Sequence, residues 1–105
     1  MITDKLEKHD IKRLENFIKK YEVYKRGLNN EVYSEGRADT VRNIVDSFER
    51  TYEECGDVPK KIIQMTWLQP EADEVICKVL EIPRRRLLRY REKILIKFAD
   101  EMVYF

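Results

Sequence analysis

Residues 70–97 read PEADEVICKVLEIPRRRLLRYREKILIK, and this stretch decides the fold. Pro70 stands where a helix can begin. Glu71, Asp73 and Glu74 then fall in the expected first turn, where carboxylates complement the helix dipole. Val75/Ile76 and Val79/Leu80 recur one turn apart and form the stripe expected to be buried. Glu81-Ile82-Pro83 is a short turn, and Pro83 opens another helix that runs to about Val103. Two helices joined by about three residues have the spacing of a helix-turn-helix.

Geometry sorts the last helix into two faces. Wound at about 100° per residue, Leu87, Arg91, Ile94 and Phe98 share a core side. Arg85, Arg86, Arg89 and Lys93 project together on the opposite side. The segment Arg84–Lys97 holds seven cations against Glu92 alone, while Glu71–Glu81 holds four acids against Lys78. In a helix-turn-helix the start of the second helix enters the major groove. Arginine there can bind guanine O6 and N7 bidentately or hold phosphates. The candidate DNA-binding residues are therefore Arg84, Arg85, Arg86, Arg89 and Lys93. Arg85, Arg86 and Arg89 are expected nearest the bases, and Lys93 on phosphate. Arg84 and Arg91 are also expected to flank the core and pair with a nearby carboxylate. Leu88 and Ile96 are left over by the core stripe; a subunit contact or plain exposure would account for them.

Upstream, Asp57 can cap a helix with Pro59 in its first turn. This helix carries Ile62, Ile63, Met65 and Leu68, with Trp67 near its end, and Gln69-Pro70 breaks it. The N-terminal half reads as two more helices. The first starts at Asp4, with Glu7 in the capping-box position. Leu14, Phe17, Tyr21, Tyr24 and Leu28 form its stripe, and Asn29-Asn30 and Gly36 bracket a turn. The second covers roughly residues 37–52 on the periodicity of Val41, Ile44/Val45, Phe48 and Tyr52. The two stripes would bury each other in an antiparallel hairpin, or pack on another subunit. The expectation is an all-α protein of five helices. An N-terminal hairpin (residues 1–56), open to homodimerisation, precedes a three-helix helix-turn-helix unit (residues 57–105).

Composition narrows the function. The chain has 105 residues, 39% of them charged, and a net charge of +1. Bulk charge therefore selects no partner, and the basic helix suggests a localised anionic one. Two Cys and one His cannot alone fill a closed four-ligand zinc site, nor build a disulfide scaffold. The opening MITDKLEKHD has no apolar stretch of the signal-peptide kind. The apolar run Ile94-Leu95-Ile96 is far short of a membrane span. A cytosolic protein with reduced thiols is expected. His9 lies among charged residues with no identifiable partner for base catalysis. Gly27, Gly36 and Gly56 are too far apart for a phosphate-cradling loop. Cys77 reads as a small buried residue. No catalytic residue, metal or cofactor is expected.

The parts IIQMTWL, EADEVICKVL, EIP and RRRLLRYREKIL resemble region four of bacterial sigma factors. More narrowly, Arg89–Leu95 (RYREKIL) resembles the end of phage-encoded regulators of the ArpU/RinA group. Those are small Gram-positive phage or prophage proteins that activate late genes. The resemblance covers under half of the chain. It implies double-stranded promoter DNA as partner, RNA polymerase as a second one, and the cytoplasm of a bacterial host. The sequence departs from the sigma pattern at Glu81-Ile82-Pro83, where a Gly or Asn, an apolar residue and Ser are usual. Two other functions fit the same residues: a small-terminase-like DNA-recognition protein for phage packaging, and an interaction module whose basic helix binds an acidic protein surface.

Overall fold

The computed structural model describes residues 7–102. Among them are six α-helices: α1 (Lys8–Lys19), α2 (Tyr21–Asn29), α3 (Glu35–Glu54), α4 (Asp57–Ile63), α5 (Asp73–Leu80) and α6 (Arg84–Glu101). A π-helical segment, Gln64–Leu68, continues α4 directly. No strand occurs among the described residues, so the protein is all-α. The proposed cap at Asp4 lies outside the described residues, and the last helix, expected to run to about Val103, ends at Glu101.

α6 organises the molecule, because α1, α3, α4 and α5 all pack on it. Its Leu87, Ile94, Leu95, Phe98 and Ala99 are buried. They join one core cluster with Leu14 and Ile18 of α1, Val41, Ile44, Val45 and Phe48 of α3, Ile62 and Ile63 of α4, and Ile76 of α5. Phe98 meets Phe48 edge-on at 6.0 Å, a favoured aromatic geometry. Burial of each large apolar side chain contributes about 1.5–3 kcal/mol. The chain measures 44 × 32 × 23 Å, with a radius of gyration of 14.4 Å.

The first expected helix is two. At Lys20 the backbone departs to φ −95°, ψ 6°, and α2 leaves in a new direction of packing. α1 lies on α6 and the π segment, whereas α2 lies on α3. The stripe Leu14, Phe17, Tyr21, Tyr24, Leu28 is therefore not one buried face. Leu14, Ile18 and Tyr24 are buried, and Phe17, Tyr21 and Leu28 are half-buried. The periodicity assumed an unbroken helix, and no glycine or proline marks Lys20 as a break. Early α2 meets late α3: the Tyr21 ring sits 4.8 Å from Phe48, and Lys25 Nζ donates to Glu49 Oε2 at 2.6 Å. The turn between them passes through Glu31 at φ 56°, with the Val32 N–H on the Gly27 carbonyl at 3.0 Å. Gly27 suits this close approach, since a Cβ there would collide with the tip of the Tyr33 ring and force it to move.

Further expectations change in the C-terminal half. Asp57 is the first residue of α4 rather than its cap; Gly56 takes the cap position. Pro70 does not open α5. The π segment ends with the Gln69 N–H on the Gln64 carbonyl (2.7 Å) and the Glu71 N–H on the Met65 carbonyl (2.8 Å). These bonds hold residues 69–71 across the helix end, so α5 begins only at Asp73, after Ala72. Glu71 stays in the linker, and only Asp73 and Glu74 occupy the first turn. The α5 stripe is also half of what was expected. Ile76 is buried and Leu80 half-buried, but Val75 and Val79 are 42% and 56% exposed. α5 packs chiefly on the π segment and α6, and Val75 and Val79 lie away from both. Cys77 is half-buried rather than buried.

Candidate nucleic-acid interface

Glu81, Ile82 and Pro83 set the direction of α6. Glu81 adopts the left-handed conformation, φ 56°, ψ 46°, that glycine usually takes at a helix C-terminus. The Ile82 N–H then reaches back to the Cys77 carbonyl at 3.1 Å, and Ile82 packs against the core. Pro83 caps α6 with extended backbone, and its carbonyl accepts the N–H groups of Arg86 and Leu87 at 3.0 and 3.1 Å. Leu87 is fully buried below this turn.

A carboxylate locks the inner face of α6. Arg91 Nη2 donates to Asp73 Oδ1 at 2.7 Å, and Arg91 Nε donates to Thr66 Oγ1 at 3.1 Å. Arg84 Nε approaches the other Asp73 oxygen at 3.5 Å. One guanidinium thus ties α5, the π segment and α6 together. The hydrogen bond from Arg91 holds the Asp73 carboxyl below its ordinary range, opposed by partial desolvation and aided by Arg84. The expected pairing of Arg84 and Arg91 with a carboxylate is found, with Asp73 as the shared acceptor. Thr66 was not foreseen, because nothing in the sequence marks the π turn that carries it. One residue on, Trp67 is buried, and its Nε1 donates to Glu15 Oε2 of α1 at 3.0 Å.

The outer face is cationic. Arg85, Arg86, Arg89 and Lys93 are all exposed. The ion pairs made by α6 cations among the described residues fall instead on Arg84, Arg91 and Lys97; Lys97 pairs with Glu54 at 2.7 Å. Residues 85–93 span about 12 Å of helix at 1.5 Å per residue, close to the width of the DNA major groove. Arg84 belongs to both faces: it leans on Asp73 yet is 71% exposed. The first turn of α6 contains no acidic residue and begins with three arginines. Cations are unfavourable at this end, where the dipole is positive. Phosphates are favoured there for the same reason.

Beside the cationic face lies an open cleft of about 630 Å³ between α1 and α6. Ile11, Leu88 and Leu95 form its apolar lining, with Arg85, Arg89 and Arg91 and the carboxylates Glu15 and Glu92 completing it. Leu88 is 46% exposed, whereas Ile96, the other residue left over by the stripe, is half-buried.

Elsewhere the polar groups already serve one another. A pocket of about 370 Å³ between α2 and α3 contains Tyr21, Phe48 and Tyr52. There the Tyr21 hydroxyl donates to Glu49, and burial, then Glu49, pushes its pKa up. Burial likewise pushes the Cys55 thiol up, which disfavours the reactive thiolate. Among the described residues no group of His, Cys, Asp and Glu is placed to hold a metal ion, and no helix is long and apolar enough to cross a membrane. Comparison with protein-family models, with curated proteins and with solved structures returns no match.

Proposed function

We propose that this protein is a phage- or prophage-encoded transcriptional regulator that binds promoter DNA through α6. In this reading α5, the turn at Glu81–Pro83 and α6 act as a helix-turn-helix. The N-terminal helices buttress it, α1 and α3 directly on α6 and α2 on α3, and RNA polymerase is a second partner. One observation carries the DNA reading. Four exposed cations, Arg85, Arg86, Arg89 and Lys93, share one face of α6 without ion pairs among the described residues. That face begins at a helix end where cations cost stability and anions are attracted. Charge that destabilises the free helix is useful when a polyanion neutralises it. The transcriptional and phage parts of the reading rest on the resemblance of residues 58–100 to sigma region four and of Arg89–Leu95 to the ArpU/RinA group.

The test is selection of source-genome fragments by the purified protein at about 0.15 M salt, where long-range phosphate attraction is partly screened. Enrichment of one or a few sites upstream of a gene cluster supports the reading. Enrichment within packaging genes without promoter elements moves it to packaging. Absence of any enrichment sinks it in favour of a protein-binding role. Replacing Arg85 and Arg89 together by Ala is expected to weaken binding while leaving the helical circular dichroism unchanged. Unaltered binding by that variant would show the interface to be elsewhere.

A further inference from the structure

We propose that Leu88 determines specificity, by reading the C5-methyl group of a thymine in the DNA site. The inference rests on the DNA-binding reading above and adds a residue that the cationic face does not include. Leu88 is 46% exposed, and its neighbour Leu87 already fills the core position of that turn at full burial. Packing therefore gives no reason for a second leucine. Arg85 lies three residues before it and Arg89 one residue after, so an apolar side chain is set at the margin of a charged surface, where a polar residue would be better hydrated. It stands in the second turn of α6, within the part of a recognition helix that enters the groove. The major groove displays hydrogen-bonding groups at every base pair but only one apolar group, the thymine methyl. The cleft behind Leu88, lined also by Ile11, Leu95 and the carboxylates Glu15 and Glu92, is open, so among the described residues nothing fully covers this side chain. Arg85 and Arg89 would hold the duplex, and Leu88 would gain contact only where a methyl is present.

The experiment uses the full chain and a duplex carrying the selected site, with each thymine replaced in turn by uracil. Uracil keeps every hydrogen-bonding group of thymine and lacks only the methyl. Binding is followed by fluorescence anisotropy. For the unaltered protein, one replacement is expected to weaken binding about three- to fivefold, the effect of burying one methyl group. Leu88→Ala should bind the thymine and uracil duplexes equally at that position. Arg85→Ala should weaken both alike. The proposal is overturned if no uracil replacement matters, or if Leu88→Ala keeps the same thymine preference. It is overturned as well if Leu88→Ala abolishes binding to both duplexes, since the side chain would then be covered by a partner or a second copy. A protein that retains no DNA in the initial selection fails earlier, at the DNA reading itself. Leu88 is half exposed, so Ala should leave thermal stability nearly unchanged, which a melting curve on the same sample verifies.

Discussion

Asp73 concentrates much of the local chemistry in one carboxylate. It accepts from Arg91 at 2.7 Å and leans on Arg84 at 3.5 Å, and the Arg91 side chain is only 16% exposed. Asp73→Asn removes the charge that balances this guanidinium. The expected cost is about 1–3 kcal/mol of stability, from a lost charged hydrogen bond, measurable by urea denaturation. The pH dependence has a definite sign. The Asp73 carboxyl is depressed in the folded protein relative to about 3.9 in an unfolded chain. Its contribution is therefore complete above about pH 4 and lost as pH falls through the folded value. Asp73→Asn should be less stable near neutrality and lose less on acidification. Glu49 and Glu54, lowered by hydrogen bonds from Lys25 and Lys97, keep some acid sensitivity in either protein. Glu81 offers the opposite case. Its left-handed backbone disfavours a side chain, and Glu81→Gly should raise stability by about 1 kcal/mol. A melting temperature unchanged or lowered by this substitution would mean that the turn relaxes differently.

For an element, α6 is the instructive case, because its stability and its proposed use pull apart. Three arginines in its first turn oppose the dipole, no acidic residue shares that turn, and Asp73 of α5 offsets Arg84 alone. Neutralising Arg85 or Arg86 to Gln should stabilise the protein by about 0.3–1 kcal/mol each at low salt. The same substitutions should weaken DNA binding and lower its salt dependence by close to one counterion per residue. If all four outer cations meet phosphates, the slope of log affinity against log salt is about −3.6 for duplex DNA. A solvated charged face with no polyanion partner would show neither effect. The faces of α6 were legible in the sequence: Leu87, Ile94 and Phe98 point inward and Arg85, Arg86, Arg89 and Lys93 outward. An unbroken helix of 18 residues obeys one rotation per residue, so the pattern transfers directly. α5 was legible only in part. Val75 and Val79 belong to an apolar pattern, yet an eight-residue helix packed chiefly on two neighbours leaves both of them exposed.

For the whole molecule, the core joins residues from both halves of the chain in a single cluster. Phe48 of α3 and Phe98 of α6 meet at its centre, and Trp67 is tied to Glu15 of α1. Phe98→Ala should therefore cost about 3–5 kcal/mol and loosen both halves together. In the unaltered protein, unfolding followed by Trp67 fluorescence should coincide with the loss of helical circular dichroism, as for one cooperative unit. Two separated transitions would instead mean that the halves unfold independently.

The sequence by itself determined the helical class, the approximate positions of α3 and α6, the short turn at Glu81–Pro83 and the segregation of cations on α6. These depend on residue spacing along one helix and on local backbone preference, both of which a sequence displays. Only the tertiary structure decided the break at Lys20, the π turn at Gln64–Leu68, the choice of Asp73 as acceptor for Arg91, and the exposure of Leu88 beside its cleft. Each depends on which surfaces of distant segments meet. Thr66 and Arg91 lie 25 residues apart, and Glu15 and Trp67 lie 52 apart. Helical periodicity extends over a few turns, whereas packing chooses partners across the whole chain, so the first was readable and the second was not.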